Sequence, residues 1–160
     1  MRAGDVLVAG IGNPYLGDDG LGEATCDVLR PDLGDDVVLL AGLDDPLELI
    51  SVWEGAGLAV VVDAVVSGAP PGTVHVLEIV GRVPRMLNRL STHVLSVGDA
   101  VELARALDKM PERLVVVGVE AAAFEPGAPR LSPEAAAAVP FVAAIVRDLV
   151  AAETRPVPGA

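Results

Sequence analysis

One cysteine, two histidines and eleven basic residues are all that this 160-residue chain has of the groups that build disulfides, imidazole clusters and polyanion-binding faces. Cys26 stands alone inside a helical pattern, so it has no intramolecular partner and reads as a small buried hydrophobe in a reducing compartment. The 11 Lys+Arg face 23 Asp+Glu, a formal charge of -12 that repels phosphate backbones. Nucleic acid and anionic membrane are therefore poor partners, and a cationic ligand or a protein with basic segments fits better. No charged segment followed by an unbroken apolar one opens the chain: the run from Val6 is interrupted by glycines and then by Asp18 and Asp19, so a cytoplasmic location is expected. The longest apolar stretch, residues 135–146, contains Pro140 and is closed by Arg147 and Asp148. It is too short to span a bilayer and reads as a buried terminal helix. No internal repeat is visible.

What is present is a hydrophobic fraction of 52% in a length that suits one domain with a sizeable core. We expect a single domain over residues 1–152 and a frayed tail over 153–160, where prolines and a glycine gather. Short β-branched runs alternate with helical periodicity, which predicts an open α/β sheet covered on both faces. Strands are predicted at 5–9, 37–41, 58–63, 73–78 and 114–119, nearly all apolar at consecutive positions, as for strands buried on both sides.

Helices fill the gaps. The first, from about residue 19 to 29, is expected to take Asp18 as N-cap and to turn Leu21, Ala24, Thr25 and Val28 inward. The second opens at Asp45 with Pro46 at its first position and Glu48 three residues after the cap, and carries Ile50 and Trp53 inward. A third, at about 94–107, groups Val97, Ala100, Val101 and Ala104; a last one after Pro133 stacks Phe141, Ile145 and Leu149. Only six residues separate Val66 from Thr73, too few for a parallel crossover, so the fourth strand is expected antiparallel to the third and the sheet mixed.

The most informative stretch is VLVAGIGNPYLGDDGLG, residues 6–22: a buried strand enters a glycine-bounded turn that delivers Asp18 and Asp19 to a helix start. Asp63 is the only charge in the run LAVVVDAVV, and His93 precedes a helical pattern in LSTHVLS. Ligands of open α/β sheets bind beyond the carboxyl ends of the strands, where strand order reverses. If the first strand lies between the second and third, Asp19 and Asp63 can reach one ion across neighbouring strands. His93 would have to enter from a loop on the same edge. Two carboxylates and an imidazole suit zinc, nickel or non-haem iron. Each residue also has a plainer reading: Asp19 can complement a helix dipole, and His93 can be an ordinary loop histidine with Ser91 or Thr92 capping the next helix. Asp63, closing an apolar strand, must be paired, solvated in a crevice or liganding a metal. His75, in the fourth strand near a sheet edge, reads as solvated or packed. Gly10, Gly12 and Gly17 do not make a dinucleotide loop, because Asp18 and Asp19 stand where a pyrophosphate would sit.

These residues carry a resemblance. GIGNPYLGDDGLG, VVDAVVSGAPPGTVHVLE, STHVLS and VVVGVEAAAFEPGAPRLSPEAAAAVP, in that order, resemble the four blocks of the [NiFe]-hydrogenase maturation proteases, across nearly the whole chain. The resemblance implies a phosphorylase/hydrolase-like three-layer α/β/α sandwich on a mixed five-stranded sheet. It implies a monomeric endopeptidase of aspartic type that removes the C-terminal extension of a hydrogenase large-subunit precursor once nickel is inserted. It places metal ligands on Asp19, Asp63 and His93, with Asp19 and Asp63 also the catalytic pair. The nickel is carried by the precursor, and another divalent metal could occupy the isolated protein. One departure stands out: many members have Asp-Gly-Gly after the second strand, where this chain has Ala41-Gly42-Leu43, followed by Asp44 and Asp45. Arg82, Arg85 and Arg89 gather just before His93, as a substrate-docking surface or a solvated face. Two other readings compete. Peptidyl-tRNA hydrolases share a strand and a G-x-G-N-P turn, but need a basic groove and a histidine-asparagine pair that this chain lacks. A nickel-dependent checkpoint module that binds the precursor without cutting it would keep the same three ligands.

Overall fold

The computed structural model describes residues 1, 5–88, 95–122, 124, 126–127 and 130–154. Five strands form one sheet: β1 (Val6–Ile11), β2 (Val37–Leu43), β3 (Leu58–Val65), β4 (Val74–Glu78) and β5 (Arg113–Glu120), in the order β2-β1-β3-β5-β4. All five predicted strands are present. The first three neighbours run parallel, and β4 is antiparallel to β5. The direction expected of β4, opposite to β3, is therefore correct, and β5 lies between the two strands. The segment after β3 crosses the end of β5 before turning back, and loop length sets a strand's direction without setting its partner. With β1 between β2 and β3, the reversal of strand order falls between β1 and β3, the position that the sequence argument required.

Helices α1 (Leu21–Leu29) and α4 (Pro133–Glu153) cover one face, α2 (Glu48–Trp53) and α3 (Val97–Ala106) the other. The alternation of side chains along a strand divides the core accordingly. Leu7, Ala9, Val61 and Val116 pack with Ile50, Trp53, Val97, Ala100, Val101 and Ala104. Val8, Val60, Val62 and Val117 pack with Leu21, Leu29, Ala138, Val142 and Val146. Burial of each large aliphatic side chain contributes about 1.5–3 kcal/mol, so the valine-rich centre of the sheet dominates stability. This is the expected three-layer mixed α/β architecture.

The helix ends and faces differ from expectation where partners lie far along the chain. Asp18 does not cap α1: the chain makes a 3-10 turn over Gly17–Gly20, Gly20 occupies the cap position, and among the described residues no side chain caps the helix. Val28 is exposed, and Cys26 and Leu29 take the inward positions instead. Asp45 does receive the Leu47 N–H on its Oδ1 at 2.9 Å, but α2 proper begins only at Glu48. The α3 cap is Ser96, in a reciprocal capping box with Asp99, rather than Ser91 or Thr92, which lie outside the described residues. On α4 the small residues Ala135, Ala138 and Ala143 sit inside with Val139, Val142, Val146 and Val150, while Phe141 is 70% exposed. The close helix-to-sheet approach selects the alanine face over the bulky one. At 21 residues α4 also outruns the apolar stretch read from sequence, and by length and composition alone it could cross a bilayer; here one side of it packs into the core. Of the predicted tail, residues 155–160 lie outside the described residues.

Candidate active site

The crevice begins where β1 ends. Gly12 has φ +119, and a Cβ there would collide with the Asp19 carbonyl, so the turn folds back only because position 12 has no side chain. Gly10 and Gly22 serve the same closeness, since a Cβ on either would strike the other's backbone or that of Ile11. The G-x-G thus packs α1 onto β1 and has no need of a nucleotide. The Gly12 N–H reaches across to Leu43 O at 3.0 Å and ties the turn to the end of β2.

Asp19 is buried, and its Oδ2 accepts the Asn13 N–H at 2.8 Å. Asp18, also buried, has other partners: its carboxylate accepts Ala122 N–H at 2.7 Å, Ser132 N–H at 2.6 Å and the Ser132 hydroxyl at 2.8 Å. Asp63 lies one residue beyond the Gly10–Val62 pair that joins β1 to β3, and β3 continues two residues past it. It is half-buried. Burial, and after it the negative charge of Asp19, push the Asp63 carboxyl up to about 8, against a smaller pull from the Ala64 N–H. Two carboxylates that repel across a crevice favour a shared proton or a bound cation.

Of the three ligands expected from sequence, Asp19 and Asp63 are brought together, and His93 lies outside the described residues, as does Arg89. Among the described residues no set of three or more His, Cys, Asp or Glu converges. Arg82 and Arg85 are exposed. Ala41-Gly42-Leu43 closes β2 beside the Gly12 turn, with Gly42 at φ +70 and the Glu23 carboxylate 4.0 Å from where a Cβ of Gly42 would stand. Asp45 is occupied at the start of α2.

Sequence reasoning missed Glu120. Ending β5, it is 2% exposed and accepts Ser67 N–H at 2.7 Å, the Ser67 hydroxyl at 2.7 Å and Gly68 N–H at 2.9 Å, with His75 Nε2 at 3.4 Å. Burial raises its pKa, but the bonds from Ser67 and Gly68 outweigh burial and hold the carboxyl below its ordinary range. It fastens the loop that follows Asp63. The available signal was the same as for Asp63: an acid at the end of an apolar run.

Comparison with known proteins bears on this geometry. The sequence model of the hydrogenase maturation proteases matches residues 31–149, a span that includes Asp63 and begins after Asp19. The chain is 33% identical over 120 residues to the hydrogenase expression/formation protein HupD of Thiocapsa roseopersicina, covering 72% of this chain and 54% of that protein, so it spans about half of that relative's length. It is 32% identical over 125 residues to the hydrogenase 2 maturation protease of Escherichia coli K12, covering 76% of each. The structure is similar to that of the hydrogenase maturating endopeptidase HybD from E. coli, with a TM-score of 0.75 and 30% identity over 93% of this chain and 94% of that one.

Proposed function

The chain belongs to the hydrogenase maturation protease family, and on that footing we propose that it is an endopeptidase that removes the C-terminal extension of a [NiFe]-hydrogenase large-subunit precursor after nickel insertion. The observation that carries this reading is the convergence of Asp19 and Asp63 at the carboxyl ends of adjacent parallel strands, where Asp63 responds to the charge of Asp19. A pair of mutually repelling carboxylates is a receptor for a cation. In this reading the cation is the nickel that the precursor carries, and Asp19, Asp63 and His93 recognise it as the mark of a mature substrate. Binding then brings the scissile peptide bond to the crevice. A high effective concentration of the attacking water supplies much of the rate. Asp63, whose carboxyl holds a proton at neutral pH until a cation arrives, is the group suited to exchange one with that water or with the leaving amine. In this reading the chain acts in the cytoplasm as a single copy.

The test is the mass of a candidate precursor incubated with the purified protein, with and without nickel loaded. Loss of a C-terminal peptide from the nickel-loaded precursor alone, abolished by Asp19→Ala and by His93→Ala, supports the proposal. A precursor that stays intact but co-purifies in a nickel-dependent way replaces it with the checkpoint reading.

A further inference from the structure

Asp18 and Asp19 are neighbours in one 3-10 turn and have different partners. Asp19 receives an N–H from its own turn, whereas the three donors on Asp18 described above come from the end of β5 and the start of α4, 104 and 114 residues away. All three are N–H or O–H groups and they fall on both oxygens, so the position calls for two acceptor atoms; an amide would present its own hydrogens to one set of donors. The anchor is rigid. The Ser132 oxygen that donates to Asp18 also accepts Ala135 N–H at 3.2 Å, capping α4, and α4 is pinned to the sheet by seven buried residues. A second clasp, Gly127 N–H to Tyr15 O at 3.0 Å, joins the same two segments.

We propose that Asp18 is a positioning residue: it locks the Gly17–Gly20 turn to the cap of α4 and so holds the Asp19 carboxylate in its working place. The inference rests on the protease reading for its consequence in catalysis. Both oxygens of Asp18 accept protein donors, so it acts through Asp19 and not on substrate. Displacement of a reacting group by about 1 Å costs on the order of 100-fold in rate.

The experiment compares wild type with Asp18→Asn by two readouts, hydrogen exchange of the Asn13 amide, which reports Asp19, and kcat and KM on a nickel-loaded precursor. Faster Asn13 exchange with Val142 and Val146 protection retained, together with a kcat about 100-fold lower at nearly constant KM, supports the proposal. Unchanged Asn13 exchange overturns it whatever the activity does, and so does altered exchange with wild-type kcat. If wild type itself cuts no precursor, the protease reading falls, and the Asn13 amide still decides whether Asp18 sets Asp19. Should Asp18→Asn not fold, Ser132→Ala withdraws only the hydroxyl donor and must move the same two readouts in the same direction.

Discussion

Asp63 carries a carboxyl raised to about 8 by desolvation and by the negative charge of Asp19 beside it. The folded value lies above the unfolded value of 3.8, so the fold favours the neutral acid. Stability from this group is complete below about pH 4, drains as pH rises, and is fully lost above about 8. Asp63→Asn, neutral at every pH, is expected to be more stable than the metal-free wild type at pH 8.5 and little different at pH 4. Urea midpoints at the two pH values measure this, and a variant less stable at pH 8.5 contradicts it.

Asp19→Asn removes the second of the two causes and leaves the first. The Asp63 carboxyl should then titrate lower than in wild type but still above an ordinary aspartate, since burial is the larger influence. Carbon-detected NMR titration of Asp63 reads this directly. A return all the way to the ordinary range would mean that charge, not burial, governs the site.

Glu120 gives the opposite pH response. Its carboxyl is held below the usual range, so its contribution is present above pH 4.5 and is lost as acid protonates it. Glu120→Ala leaves the Ser67 and Gly68 amides without their acceptor and is expected to cost about 2–4 kcal/mol. Glu120→Gln should flatten the acid limb of the stability curve. Denaturation series from pH 3 to 7 distinguish these outcomes from a surface role, which would shift neither.

Gly12→Ala meets both a positive φ and the Asp19 carbonyl. A loss of about 2–4 kcal/mol is expected, together with a fall in processing that persists at temperatures where the variant remains folded. Wild-type turnover by folded Gly12→Ala would show that the turn tolerates displacement of Asp19.

The parts of this molecule that were legible in the sequence are those governed by near neighbours. Asp63 stood out because a charge inside LAVVVDAVV has few explanations, and the valine runs predicted strands because burial on both faces leaves no room for alternation. Asp18 was misread because the capping rule is local, whereas its donors are Ala122 and Ser132. The order of β4 and β5 was not legible for a related reason: six residues dictate reversal but say nothing of which strand will be adjacent. Phe141 looked like a core residue by its helical spacing from Ile145 and Leu149, yet α4 lies against the sheet through alanines and valines. Glu120 went unremarked because its partners lie in the loop that crosses the end of its own strand.

The placement of β5 between β3 and β4 also imposes a schedule on the growing chain. β4 is synthesised before the strand it pairs with, so it has no partner until residues 113–120 have left the ribosome. Over that interval one edge of β3 is bare, and the Gly118 backbone that will stand beside Asp63 does not yet exist. A chain halted before Arg113 would hold both aspartates and lack the strand that flanks Asp63.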